Sequence, residues 1–168
     1  MVAAAERFFA VCPRGLQALL AQELTALGAQ ACTPQAGGVA FAGTLETGYA
    51  ANLHSRLASR VLREVGQAPY ADEEDVYAAA HAVAWERWFD ARQTLRVDVT
   101  LAGSRLSHAG FLTLRVKDAI ADRLRARTGA RPSIDRARPD VRVFAHLDAH
   151  IAHFYLDLSG EALFKLGW

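Results

Sequence analysis

Between Arg7 and Pro69 the chain alternates apolar runs with helical ones in an order that few folds accommodate. Arg7–Cys12 reads as a short apolar strand ended by Pro13. A helix follows from Gly15 to Leu27: Leu16, Leu19, Leu20, Leu24 and Leu27 recur at helical spacing, and Gly28 stops it. Ala31–Gln35 and Val39–Ala42 flank a turn at Gly37-Gly38, which makes a hairpin. Thr44 caps a second helix, Leu45 to Ser55, with Leu45, Tyr49 and Leu53 on one face. Arg60–Ala68 closes the unit as a strand with Val61 and Val65 inward, and Pro69 ends it.

A helix on every second crossover makes this βαββαβ unit a ferredoxin-like sandwich. The second half has a different grammar. Asp72–Phe89 reads as one helix, its acids at the N-terminus where the helix dipole favours them, and Val76, Ala80 and Val83 on its apolar side. Thr94–Leu101 alternates Leu95, Val97, Val99 and Leu101 against Arg96, Asp98 and Thr100, as a half-buried strand does. The longest helix follows the loop through Gly103–Gly110 and ends near Thr128-Gly129. Val116, Ala119, Ile120 and Leu124 share its inner face, while Arg115, Asp118, Asp122 and Arg125 point away. A Pro-bearing loop, Arg131–Pro139, leads to strands Val141–Leu147 and Ile151–Leu158, joined by a turn at Ala149-His150. The expected class is α+β: a ferredoxin-like unit over residues 1–70, then an α/β module with a mixed sheet over 71–168.

A chain of 168 residues, 52% hydrophobic and 22% charged, can bury a core without disulfides or metal, but has no room for a large catalytic domain beside a recognition domain. No stretch approaches the roughly 18–20 apolar residues of a membrane span. The opening MVAAAERFF is not a signal peptide, so the expected place is the cytoplasm. Cys12 and Cys32 have no metal-type spacing and read as two buried free thiols. The net charge of +1 hides a strong segregation. Residues 72–90 carry six acids against Arg87, while residues 105–142 carry ten bases against Asp118, Asp122, Asp135 and Asp140. Seventeen of the 19 bases are Arg, whose planar guanidinium forks onto phosphate oxygens. The basic segment reads either as a polyanion-binding surface or as a solvated helix face with pairs such as Asp122–Arg125.

No dinucleotide or P-loop glycine pattern, zincin motif or nucleophile elbow occurs. Ser107-His108 is adjacent in a loop, a poor geometry for a nucleophile and its base. His146, His150 and His153 flank the last turn; His146 and His153 fall opposite each other and can offer two imidazoles to zinc, although outward-facing histidines are usually only solvated. Trp85, Trp88 and Phe89 suit core packing better than base stacking. Arg56 and Arg60, at a helix-to-strand corner, either hold phosphate or fix the corner through backbone carbonyls. Arg115 and Lys117, early in the longest helix, suit phosphate together with that helix's free amides; the alternative is Arg115–Asp118 pairing on a solvated face. The arginines of the 131–138 loop, Arg131, Arg136 and Arg138, add to the same surface if the loop folds back.

Five segments, in order, give the chain a family likeness. Arg14-Gly15-Leu16 with Leu19-Leu20 and Glu23-Leu24 resembles an RGLxxLLxxEL helix, and Ser55–Arg60 an SRLASR corner. Lys117–Asp122 resembles a KDAIxD segment; Arg131-Pro132, Asp135 and Pro139-Asp140 an RPxxDxxxPD loop; and Leu156–Gly160 an LDLSG strand end. Together they resemble the N-terminal ferredoxin-like plus THUMP region of the bacterial K/L family of methyltransferases, which act on guanine N2 of 23S rRNA. Leu166 departs from the Arg of the family's RGY or RGW ending.

The resemblance implies a recognition module that docks structured rRNA and is not catalytic alone. It implies no cofactor or metal in this chain; S-adenosylmethionine and an NPPY-type motif belong to a methyltransferase domain expected in cis after Trp168. The implied partner is 23S rRNA, with no membrane, and the candidate contacts are Arg56, Arg60, Arg115, Lys117, Arg131, Arg136 and Arg138. Two rival functions are a THUMP module of a tRNA-modifying enzyme such as a thiouridine synthetase, and a small-molecule regulatory or protein-interaction domain on a ferredoxin-like fold.

Overall fold

The computed structural model describes residues 5–158, which divide into two compact units. One comprises residues 5–64 together with Asp157 and Leu158; the other is Val65–Leu156. Ser159, Gly160 and Leu166 of the family-like segments lie outside the described residues.

The first unit runs β1 (Glu6–Val11), α1 (Gln17–Ala26), β2 (Gln30–Gln35), β3 (Gly38–Gly43), α2 (Leu45–His54) and β4 (Arg60–Pro69), whose last five residues belong to the second unit. Its strands pair antiparallel in the order β2-β3-β1-β4, as the βαββαβ reading requires. Alternation puts Phe8, Ala10, Val39, Phe41 and Val61 on one face, where Leu20 and Leu24 of α1 and Tyr49 and Ala51 of α2 complete the core. Phe8 and Phe41 are cross-strand partners with rings stacked 5.1 Å apart. The Thr44 hydroxyl accepts from the Thr47 amide at 3.2 Å and caps α2. The α2 helix lies so close to the sheet that a Cβ on Gly48 would stand 2.3 Å from the Phe8 ring.

Three details differ from what periodicity alone conveys. Leu19 and Leu53 are 55% and 57% exposed, because one-sided packing of a ten-residue helix buries a narrower stripe than the spacing suggests. Ala31 takes φ 53 where the β2–β3 register shifts, an irregularity that turn residues do not announce. Cys12 is buried but Cys32 only half-buried, both as free thiols.

The second unit runs α3 (Glu73–Ala82), a 3-10 turn (Trp85–Arg87), β5 (Leu95–Leu101), α4 (Ala109–Thr128), β6 (Val141–Leu147) and β7 (Ile151–Asp157). With β5 parallel to β6 and β6 antiparallel to β7, the sheet is mixed. Leu112, Val116, Ala119, Ile120 and Leu124 of α4 pack on Leu95, Val143, Ala145, Leu147 and Phe154. Asp72 caps α3 by accepting from the Asp75 amide, and the Asp75 carboxylate accepts from the Ala71 amide. Gly129 ends α4 in the left-handed conformation, φ 86.

The helix expected over Asp72–Phe89 stops at Ala82. Val83 turns extended, and the fully buried Trp85 donates its indole N–H at 2.8 Å to the Ala80 carbonyl, which also accepts from the Val83 amide at 3.3 Å. Trp85 and Phe89 are core, as expected, with Trp85 edge-on to Phe154. The polar face of α4 also differs from expectation. Arg115, Asp122 and Arg123 turn to α3 and the segment after it: Arg115 pairs with Glu74, Tyr77 donates to Asp122, and Arg123 forks onto Glu86 at 2.7 Å. Asp122 also faces Arg131 at 3.6 Å, in place of the anticipated Arg125.

Two stability tests follow from this packing. Gly48→Ala should destabilise by about 1–3 kcal/mol through overpacking against Phe8. Gly110→Ala, in open space on α4, should instead stabilise by up to about 1 kcal/mol. Thermal melts showing the two variants alike would refute the close α2–sheet approach. Hydrogen bonds from the Arg123 guanidinium hold the Glu86 carboxyl below its ordinary range. A depressed carboxylate stabilises fully above its unfolded pKa, about 4.3, and that contribution disappears as pH falls through the folded value. Glu86→Gln should therefore lower Tm at neutral pH and flatten the acid side of the Tm–pH curve. Parallel curves for wild type and variant would show that the pair contributes nothing to acid sensitivity.

Candidate nucleic-acid interface

The loop between α4 and β6 is shaped by its own carboxylates. The Asp135 Oδ1 accepts from the amides of Ala137 and Arg138, both at 3.0 Å, and folds the loop tip into a turn. At the far end the Thr94 amide donates to the Asp140 carboxylate and the Asp140 amide to the Thr94 hydroxyl, each at 2.9 Å. Leu95 joins the loop to β5: its amide donates to the Ser133 carbonyl and its carbonyl accepts from the Asp135 amide. Pro132 is buried, whereas Arg131, Arg136 and Arg138 are exposed.

The seven candidate cations fall into three groups. The guanidinium groups of Arg136, Arg138 and, in the first unit, Arg56 make no hydrogen bond or ion pair among the described residues. Among the described residues Lys117 meets its neighbour Asp118, at 2.9 Å, and Arg131 reaches Asp122 loosely. Arg60 and Arg115 are committed. Arg60 pairs with Asp157, the one buried charged side chain among the described residues. Arg115 pairs with Glu74 at 3.1 Å and lies over the Tyr77 ring, 4.3 Å from its centroid. Arg115 also stands six residues, roughly 9 Å, beyond the first residue of α4, so it does not share a site with that helix's free amides.

The corner at 55–60 is anchored to α1. Glu23 of α1 accepts from the Ser55 hydroxyl and from the Arg56 amide at 3.1 and 3.2 Å, and the Ala58 amide donates to Ser55. Burial raises the Glu23 pKa, but these hydrogen bonds outweigh it and hold the carboxyl below its ordinary range.

Sequence reasoning missed Arg96. Its guanidinium forks onto Asp98 at 3.0 and 3.2 Å and donates to the Arg136 carbonyl at 2.8 Å. With Val97, Asp98, Val99, Thr113 and Arg136 it lines a cavity of about 280 Å³ along β5. The signal was present in the alternation of β5, where Arg96 occupies an outward position. His146 and His153 face each other in register as expected, but His146 Nδ1 lies 2.8 Å from the Thr100 hydroxyl and His153 Nε2 3.3 Å from Asp148. Burial, then the neighbouring His153, pushes the His146 pKa down.

The loop thus spends carboxylates on main-chain amides and leaves guanidinium groups open, an arrangement suited to a polyanion. Comparison with known proteins gives this surface a context. Residues 7–62 match the model of the RlmL ferredoxin-like domain and residues 70–157 that of the THUMP domain. A ribosomal RNA large subunit methyltransferase K/L from Syntrophotalea carbinolica is 47% identical over 162 residues, 96% of this chain. Its counterpart from Pseudomonas aeruginosa is 45% identical over 160 residues, 95% of this chain. The chain spans only 23% and 22% of these two relatives. Among solved structures, a putative methyltransferase complexed with SAH aligns with TM-score 0.79 and 25% identity, over 99% of this chain and 45% of that one. A 4-thiouridine synthetase in complex with RNA shares the fold at TM-score 0.59 and 12% identity, over 92% of this chain and 42% of its own. The chain belongs to the THUMP-domain family, with a match to the RlmL ferredoxin-like domain model ahead of it.

Proposed function

We propose that this chain is the RNA-docking region of an S-adenosylmethionine-dependent 23S rRNA guanine-N2 methyltransferase of the cytoplasm, which holds structured rRNA for a catalytic domain following in cis. The observation that carries this reading is the loop of residues 131–140, whose acids fold the backbone while Arg136 and Arg138 remain open to phosphate. In it, residues 1–70 form the ferredoxin-like domain and 71–168 the THUMP domain. No described helix is long and apolar enough to cross a membrane. The cavity along β5, faced by two arginines, suits the anionic RNA backbone better than the positively charged sulfonium of S-adenosylmethionine. Methyl transfer is accordingly assigned to residues beyond this chain, where the target guanine must leave its stack.

The candidate cations take different parts. Arg136, Arg138 and Arg56 meet phosphate directly, because no carboxylate has to be displaced first. Lys117 and Arg131, weakly held, join them when RNA approaches. Arg60 and Arg115 act through the fold: Arg60 through Asp157, and Arg115 through Glu74 and Tyr77. Cations that neutralise phosphates release counterions, so affinity should fall steeply with salt.

Fluorescence anisotropy with a 23S rRNA stem-loop and with tRNA, over a salt series, tests this reading. Arg136→Ala/Arg138→Ala should reduce the slope of log affinity against log salt by about 1 for each phosphate no longer neutralised. Arg115→Ala should lower Tm and leave the slope nearly unchanged. Affinity indifferent to salt would overturn RNA docking, and preference for tRNA would move the chain to a tRNA-modifying enzyme. An unchanged slope in the double variant would place the phosphates on another face.

A further inference from the structure

The backbone polarity of β5 can be followed residue by residue. Thr94 accepts from the Val141 amide at 3.0 Å, and the Ala102 amide donates to the Leu147 carbonyl at 2.9 Å. Even-numbered residues from Thr94 on therefore bond towards β6, as alternation in a parallel ladder requires. Odd-numbered residues face the other way. Leu95 does so with both groups, donating to Ser133 at 2.9 Å and accepting from Asp135 at 3.1 Å. Among the described residues the outer pairing stops there, for the Leu95–Ile134 bridge is isolated.

The next two edge-facing residues, Val97 and Val99, border the 280 Å³ cavity. Each presents an amide donor and a carbonyl acceptor on the same side, about 6.6 Å from the next such pair. An uncovered strand edge invites a hydrogen-bonding ligand, and the charges around this one indicate which. Asp98 is already held by two bonds from Arg96, and Arg96 also holds the Arg136 carbonyl, which leaves the Arg136 guanidinium open. The free charge at the cavity is positive, while the free main-chain groups match the donor–acceptor edge of a base.

Given that the chain docks RNA, we propose that the open edge of β5 is a nucleotide-reading groove. One unpaired nucleotide enters it, its base hydrogen-bonded to the main chain of Val97 and Val99 and its phosphate on Arg136. A base-paired nucleotide has spent its Watson–Crick edge and is excluded, so the groove selects loops, bulges or ends over duplex. Arg96 is a positioning residue here, since it fixes the Arg136 backbone. Reading by main chain leaves no side-chain motif behind.

The test uses the 168-residue chain, with short oligoadenylate, oligocytidylate, oligouridylate and an RNA duplex as probes. Proline is tolerated on an edge strand. Val99→Pro therefore removes the outward N–H without breaking a bond to β6, and Val99→Ala is the control that keeps it. Val99→Pro should bind the preferred oligonucleotide about tenfold more weakly than Val99→Ala, the scale of one two-point base contact. In wild type, the Val97 and Val99 amide resonances should shift with the oligonucleotides and not with the duplex. That second readout decides the matter if Val99→Pro does not fold. Equal binding by the two variants, unmoved amides, or duplex matching the single strands would overturn the groove. If salt-dependent binding of the 23S rRNA stem-loop survives those results, groove reading fails while RNA docking stands; loss of both refutes both.

Discussion

The two hydrogen bonds exchanged by Thr94 and Asp140 hold the basic surface in place. They close the loop of residues 131–140 onto the start of β5, and the Leu95 backbone bonds on either side of Ile134 complete the seam. A hydrogen bond to a charged group stabilises by about 1.5–3 kcal/mol and a neutral one by about 0.5–1.5 kcal/mol. That is enough to order a loop that the Arg96 guanidinium also holds, at the Arg136 carbonyl. The position of Arg136 follows from this seam, through its carbonyl on Arg96, and so does the point at which the β5 edge is left open.

Counting charges along the chain misjudges such a surface. The acids of 72–90 and the bases of 105–142 look segregated in sequence, yet Glu74 meets Arg115 and Glu86 meets Arg123 across the α3–α4 side of the second unit. These pairs already engage two of the bases of the long helix. A phosphate arriving at Arg115 would have to displace Glu74 and compete with the Tyr77 ring, whereas at Arg136 it displaces only water.

Much of the fold was legible because periodicity is a local property. The βαββαβ order, the Thr44 cap, the Gly129 stop and the turn at Ala149-His150 all follow from residues within a few positions of one another. What was not legible depended on partners distant in sequence. The early end of α3 is set by where Trp85 is buried, and the exposure of Leu19 by how much of α1 the sheet covers. The inward turn of Arg115 is set by Glu74, 41 positions away. At the candidate site, the sequence pointed to the loop of residues 131–138 and to its arginines. It could not separate Arg136 and Arg138 from Arg115, because that distinction rests on which carboxylates reach which guanidinium groups. Arg96 stood in plain view on the outward face of β5, but only the folded loop shows why its position matters.

The carboxylates of this chain divide by what they hold. Asp135 spends an oxygen on two loop amides, Asp140 on the Thr94 amide, and Glu23 both oxygens on the Arg56 amide with one shared by Ser55. Each secures backbone at or near an exposed arginine. A carboxylate bonded to amides still carries its charge, but it keeps its place, and its oxygens are not on the guanidinium that a phosphate must approach. Backbone folded by acids and surface presented by arginines therefore coexist in a chain of net charge +1. Near-neutrality also limits long-range attraction, which leaves specificity to the shape of the loop and to the groove beside it.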